Sequence, residues 1–352
     1  MKELWSRRVR DMTPYVPGEQ PQDRRYIKLN TNENPYPPSP RALAALSEAA
    51  NGDLRLYPDP ECIALRQAVA EFYGIRADNV FCGNGSDEIL SFSFQAFFDR
   101  DRPITFPDIT YSFYEVYVKY LDLTAKLVPL AEDFSLPVAE FLNCPGGVVL
   151  ANPNAPTGQW IELSEVEQIL AENSGSVVIL DEAYVDFGCE SGVKLIETYP
   201  NLLVVQTLSK SRSLAGLRVG FALGQPELIA ALRCVRDSIN SYTVDRLAAA
   251  AAKGAIEDRA YFDETRERII KTREKTAKTL RELGFQVADS RTNFLFIRHP
   301  RKPGRELFAA LRERGILVRR WDMPRISDYL RVSIGTDAEM DALCEALAEL
   351  VG

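Results

Sequence analysis

Two short apolar runs constrain this chain more than anything else in it. Val177-Val178-Ile179-Leu180 stops abruptly at Asp181-Glu182-Ala183-Tyr184, and Leu202-Leu203-Val204-Val205 leads into Thr207-Leu208-Ser209-Lys210. Short aliphatic runs without polar alternation read as strands buried on both faces, as in parallel sheets. Similar runs occur at Val80-Phe81-Cys82, Ile104-Thr105-Phe106-Pro107, Val148-Val149-Leu150-Ala151 and Val219 to Leu223. Between them lie helical patterns, including Pro40 to Ala50, Glu61 to Tyr73 closed by Gly74, and one that follows the turn Gly83 to Glu88 and runs through Phe98. This alternation predicts an α/β fold with a mostly parallel central sheet flanked by helices. Ligands of such sheets sit beyond the carboxyl ends of the strands, so Asp181, Tyr184, Lys210 and Arg218 are expected on one rim.

At 352 residues the chain is long for a single core. A proline-rich arm over residues 1–40, a large domain over 41–270 and a small α+β domain over 271–352 are expected. A long helix from Asp263 to Leu283 is the candidate bridge between the two domains. Ser164 and Glu167 are a candidate capping box.

Composition narrows the chemistry. The net charge of −8 argues against nucleic acid or an anionic membrane as partner. There is no run of ~18 apolar residues, and Met1-Lys2-Glu3-Leu4-Trp5 lacks the apolar core of a signal peptide. The six cysteines form no C-x-x-C pair, which fits a reducing, cytoplasmic setting. The one histidine, His299, excludes His-cluster metal sites and disfavours Ser-His or Cys-His catalysis, so no metal is expected. Lysine, tyrosine, carboxylates or an organic cofactor must then move protons.

The rim residues specify that cofactor. Arg212 and Arg218 beside Lys210 would disfavour its charged form, and a neutral lysine adds to carbonyls. An aspartate at a neighbouring strand end can hold a ring N–H, and a tyrosine three residues on can bond a phenolic oxygen. The Val80-Phe81-Cys82 strand, the Gly83-Asn84-Gly85-Ser86-Asp87 turn and the adjoining helix N-terminus, with Ser209 and Arg218, can hold a phosphate. Aldehyde, ring nitrogen, phenol and phosphate together describe pyridoxal 5′-phosphate. For any one residue a structural role is the plainer reading; for the whole set on one rim it is not. The aromatic-dense stretch Tyr111, Phe113, Tyr114, Tyr117, Tyr120 reads first as core, with room for one ring to stack on a flat ligand.

The motifs Asn152-Pro153-Asn154-Ala155-Pro156-Thr157-Gly158, Asp181-Glu182-Ala183-Tyr184, Thr207-Leu208-Ser209-Lys210 and Gly216-Leu217-Arg218-Val219-Gly220 resemble those of the fold-type I, aspartate aminotransferase-like enzymes. Pro14-Tyr15-Val16-Pro17-Gly18, Asn32-Glu33-Asn34-Pro35, Tyr57-Pro58-Asp59-Pro60, Gly83 to Glu88 and Arg331 to Thr336 narrow the likeness to the histidinol-phosphate aminotransferases. The resemblance implies that Lys210 covalently holds the cofactor's aldehyde carbon and later shuttles the substrate proton. It implies that Asp181 holds the pyridine N–H, Tyr184 bonds the phenolic oxygen, and Tyr111 stacks on the ring. Ser86, Asp87, Ser209 and Arg218 would hold the cofactor phosphate, and Tyr57 would reach the neighbouring subunit's cofactor in a homodimer with shared sites. Arg331 would grip the carboxylate of glutamate, and Arg319 with Tyr15 the phosphate of the other substrate.

In two places the chain departs from the pattern. Ala155 stands where relatives often carry an asparagine that bonds the phenolic oxygen, and Asn154 is expected to take over by a local shift. Ser241-Tyr242-Thr243-Val244-Asp245 replaces the family's usual Pro-Tyr-Asn-Val-Asn. The implied reaction is transamination between histidinol phosphate and 2-oxoglutarate in histidine biosynthesis. Threonine-phosphate decarboxylation and aromatic amino-acid transamination are the alternatives on the same scaffold. A non-catalytic module of this fold would have lost the chemical residues, whereas Lys210, Asp181, Tyr184 and Arg218 are all present.

Overall fold

A computed structural model describes every residue of the chain except Met1 and Asp11. Its centre is a seven-stranded sheet in the order Val80–Gly83, Gly220–Gly224, Leu202–Thr207, Val178–Asp181, Val148–Ala151, Ile104–Pro107, Ala125–Val128. Gly220–Gly224 runs antiparallel to both its neighbours; the pairings across the rest of the sheet are parallel. The aliphatic runs bury side chains alternately on the two faces. Val149, Ile179, Leu203, Val205 and Ala222 point to one core with residues of the helices Gly85–Phe97 and Phe113–Leu121. Val148, Leu150, Val178, Leu180, Leu202 and Val204 point to the other, with the helices Ile63–Tyr73, Leu163–Glu172 and Arg246–Glu257. Being covered on both faces is what lets these strands be apolar at every position.

A smaller antiparallel sheet of Gln286–Val287, Phe294–Arg298 and Leu330–Ser333 builds a second core with the helices Gly304–Glu313 and Asp337–Val351. The helix Arg259–Glu282 serves both units: Phe262 meets Phe72 of the larger one, while Ile269, Ala277 and Leu280 enter the second core. The proline-rich N-terminal stretch does not end as a free arm. Ile27–Lys28 pairs in parallel with Ile316–Leu317, and Leu29 is buried in the second core. Upstream, Arg24 donates to the carbonyls of Arg312 and Glu313, and Arg312 pairs with Glu19.

Some local expectations shift. The capping box of Leu163–Glu172 is made by Glu162 and Glu165, not Ser164 and Glu167, because the helix begins one residue before Ser164. After Pro107, Asp108 accepts from the Leu130 backbone N–H and fixes a loop, and the next helix starts at Phe113. Arg212 is not a rim cation. It is buried, with its guanidinium 3.6 Å from the Phe262 ring centre and donating to the Ala255 carbonyl.

Arg273 ties the long helix to both units. Its Nη1 donates to Phe187 O at 2.9 Å and to Thr292 O at 2.8 Å. Arg273→Met would keep the apolar stem and strand both carbonyls. An unfolding free energy lower by about 2–6 kcal/mol is expected in urea titrations, from about 1–3 kcal/mol per orphaned buried group.

Candidate active site

The carboxyl ends of the strands open on one cavity of about 270 Å³. Asp181 closes the strand Val178–Asp181 and is 4% exposed. Its Oδ2 accepts from the Tyr114 hydroxyl at 2.8 Å and its Oδ1 from the Ala183 backbone N–H at 3.2 Å. Burial pushes its carboxyl up to about 6, against the pull of those two donors. Glu182 points to the opposite face, as successive strand residues must. It accepts from Ser191 Oγ, Gly192 N and Gln206 Nε2 at 2.6, 2.6 and 2.7 Å. Burial pushes Glu182 up to about 7. Asp181 thus faces the cavity while Glu182 locks the turn that comes after it.

Lys210 lies just past the strand Leu202–Thr207 and Ser209. Its Nζ lies 5.9 Å from the Tyr184 ring centre and donates to the Thr31 carbonyl at 3.2 Å. Arg218 enters the antiparallel strand at a left-handed φ of 54°. Its guanidinium bonds Asp87 Oδ2 at 3.1 Å and Ser209 Oγ at 3.4 Å. It lies against Gly85, where a Cβ would come within 2.7 Å of Nη2, so glycine there permits the approach. The Asn84 side chain does not cap the helix Gly85–Phe97, so its first N–H groups and a guanidinium converge beside Ser86 and Ser209. That arrangement suits an anion of phosphate size. Tyr111 stands at the same wall, its hydroxyl donating to Asp87 Oδ1 at 2.7 Å.

The second unit and the N-terminal stretch supply the other wall. Arg331 donates to Asn30 O at 3.0 Å, while its Nε is buried with no partner among the described residues. Arg319 pairs main chain to main chain with Arg331 and donates to Val16 O at 2.8 Å and Pro17 O at 3.2 Å. The Trp321 ring centre lies near both guanidiniums, 5.5 Å from that of Arg319 and 5.2 Å from that of Arg331. Tyr15 stacks on Phe113 at 4.4 Å.

The structure thus brings Lys210, Asp181, Tyr184, Ser86, Asp87, Tyr111, Ser209, Arg218, Arg331, Arg319 and Tyr15 to one cavity. One residue expected here, Asn154, is not there, and Tyr57, expected at the neighbouring subunit's site, lies outside this cavity. Asn154 turns away: its amide donates to Ile109 O and Thr157 Oγ1 and accepts from Thr110, holding the loop, and Ala155 lines the cavity in its place. Tyr57 is 78% exposed and stacks on Tyr242 outside the cavity of its own chain. Tyr114, Asn32 and Trp321 are additions that sequence reasoning does not reach. Tyr111 precedes the helix Phe113–Leu121, so no helical spacing marks Tyr114 as the partner of Asp181. The partners of Asn32 are more than a hundred residues away, and no local signal predicts them.

The sequence model described as "Aminotransferase class I and II" matches residues 24–347. A histidinol-phosphate aminotransferase from Clostridium acetobutylicum is 54% identical over 351 residues, spanning 100% of both chains. Another, from Methylococcus capsulatus, is 54% identical over 100% of this chain and 98% of its own. The chain belongs to the histidinol-phosphate aminotransferases, within the class I and II aminotransferase family. Among solved structures, the family member from Sinorhizobium meliloti, in complex with pyridoxal-5′-phosphate, superposes with a TM-score of 0.88 at 26% identity. That match covers 99% of this chain and 97% of the other. An L-threonine-O-3-phosphate decarboxylase from Porphyromonas gingivalis shares the fold, with a TM-score of 0.79 at 21% identity over 92% of this chain and 99% of its own.

Glu182 gives a pH test of the packing behind the site. Its carboxyl titrates near 4.3 when unfolded and at about 7 when folded. The folded chain therefore binds the proton more tightly. This group's contribution is full below about 4.3 and is lost as pH rises through about 7. Glu182→Gln should flatten the stability profile of the cofactor-free protein over that window by on the order of 3 kcal/mol, read as the slope of urea-unfolding free energy against pH.

Proposed function

We infer that this chain catalyses the transamination of L-histidinol phosphate with 2-oxoglutarate to imidazole acetol phosphate and L-glutamate, using pyridoxal 5′-phosphate. The observation that carries the reading is the convergence of Lys210, Asp181, Tyr184 and the Arg218–Gly85 anion cradle on one cavity, in a chain with full-length likeness to enzymes of that name. The residues fit the cofactor: a glycine-lined cradle for its phosphate, and a buried carboxylate for its ring N–H. Bound pyridoxal phosphate supplies an aldehyde that exchanges amino groups and a ring that withdraws electrons from the bonds at the substrate's Cα.

The chain's own groups do the rest. Asp181, kept from water and oriented by Tyr114, holds the ring N–H. Arg218, Ser209 and the N–H groups at Ser86 and Asp87 hold the phosphate. Tyr111 covers the ring face and Tyr184 donates to the phenolic oxygen. Lys210 would hold the cofactor's aldehyde end, and its amine would serve as the base for the proton on the substrate Cα. Arg331 clamps the carboxylate of glutamate. Arg319 and Tyr15 receive the phosphate end of histidinol phosphate, which would exchange the contacts Arg319 now makes with Val16 and Pro17. The working unit is a homodimer in which exposed Tyr57 reaches the phosphate in the second subunit's site.

Mixing the holoenzyme with histidinol phosphate and no keto acid should yield one equivalent of imidazole acetol phosphate per chain and then stop, until 2-oxoglutarate restarts it. Threonine phosphate should release no CO₂. A holoenzyme that gives no keto product from histidinol phosphate has another substrate. Cofactor uptake should depend on the Asp181 proton. With its carboxyl at about 6 in the free site, affinity for pyridoxal phosphate should fall up to about tenfold per unit as pH drops below 6, and Asp181→Asn should lose that dependence. Fluorescence titration of the apoenzyme between about pH 5 and 7 reads both.

A further inference from the structure

The loop that could have presented an amide to the cofactor's phenolic oxygen presents none: Ala155 lines the cavity, and the Asn154 amide is engaged by Ile109, Thr157 and Thr110. An amide does stand behind the residue left with that task. Asn32, 1% exposed at a left-handed φ of 56°, donates from Nδ2 to the Tyr184 hydroxyl oxygen at 2.9 Å.

The direction of that bond is set by its neighbours. Ser333 Oγ accepts from the Asn32 backbone N–H at 2.8 Å, so its own proton goes to Asn32 Oδ1 at 2.9 Å. Oδ1 is then an acceptor, and the other end of the amide, facing Tyr184, must be the N–H donor. The Asn32 carbonyl is held in turn by Asn293 Nδ2 at 2.9 Å. The Tyr184 oxygen therefore accepts a hydrogen bond from Asn32, and its single O–H is left to point elsewhere. Tyr184 lines the cavity beside Lys210.

We propose that Asn32 is a positioning residue for Tyr184: by donating to its oxygen it aims the tyrosine O–H into the cavity, at the phenolic oxygen of the cofactor, and so replaces from the N-terminal segment the amide that Ala155 lacks. The proposal rests on the pyridoxal phosphate reading above. It also explains why the Asn30–Asn32 segment is fixed so tightly, since its neighbouring carbonyls take Lys210 Nζ and Arg331 Nη2. Ser333 lies two residues beyond Arg331 on the strand Leu330–Ser333, so the chain Ser333–Asn32–Tyr184 starts on the strand that carries the substrate arginine.

The test is a pH titration of the visible absorbance of the substrate-free holoenzyme. A donor to the phenolic oxygen stabilises its negative charge and lowers the midpoint at which the cofactor–lysine linkage loses its proton. Asn32→Gly keeps the left-handed backbone and removes the amide; the midpoint should rise by about one unit. Asn32→Asp keeps the shape but only accepts, drawing the tyrosine proton away from the cavity, and should raise it at least as far. Adding A155N to N32G places an amide on the cavity wall and should recover most of the shift. A midpoint within about 0.2 unit of wild type in both single variants overturns the proposal, as does a shift that A155N leaves unrelieved. A wild-type chain that takes up no pyridoxal phosphate overturns the cofactor reading and this proposal together. A normal band with an unmoved midpoint overturns this proposal alone.

Discussion

Two adjacent carboxylates taken out of water at the end of a central strand set the terms for the rest of this structure. Strand geometry sends Asp181 and Glu182 to opposite faces of the sheet, so the fold must supply donors on both. On one face Tyr114, fully buried, reaches Asp181 from the helix Phe113–Leu121. On the other, Ser191, Gly192 and Gln206 surround Glu182, and the Gln206 amide oxygen accepts from Tyr73. Unsatisfied, either carboxylate would cost several kcal/mol and protonate instead. Satisfied, Glu182 becomes a rivet behind the site, and Asp181 a charge that only a cation from the cavity side can complete.

The same economy of position recurs around the cavity. A single antiparallel strand, Gly220–Gly224, brings Arg218 back to the rim that the parallel strands already serve. Its first residue is a glycine because a Cβ there would stand 2.8 Å from the Ser86 backbone nitrogen. The guanidinium then lies against the N-terminus of the helix Gly85–Phe97, where dipole, N–H groups and formal charge act on one anion. Opposite, the smaller unit contributes Arg331 with a buried nitrogen that has no partner among the described residues, an unusual state that a carboxylate bound there would relieve.

The segment Asn30 to Asn32 connects these walls. It is anchored on the smaller unit through Leu29 and Ser333, and it touches Arg331, Lys210 and Tyr184. A change in how the smaller unit sits is thereby felt at groups of both units. The bridging helix Arg259–Glu282, fixed by Arg273, bears on the same relation from the outer side.

By itself the sequence determined the strands, the rim and the cofactor-directed residues on it. Buried parallel strands are written as unbroken aliphatic runs, and the residues that come next after each run must lie at its carboxyl end. Asp181, Tyr184 and Lys210 were legible for that reason; Arg218 precedes its strand and shares the rim because Gly220–Gly224 runs antiparallel, and the likeness of the motifs to a known family carried it and the rest of the site. Tertiary structure alone decided which side chains complete them. Asn154 looked available and is engaged by its own loop; Arg212 looked like a rim cation and is packed between phenylalanines; Tyr114 looked like core and holds the key carboxylate. Asn32 meets Tyr184 across 152 positions of sequence. Hydrogen-bond partners of this kind are set by how separate elements pack, and nothing in the local spacing of residues encodes which distant donor will arrive.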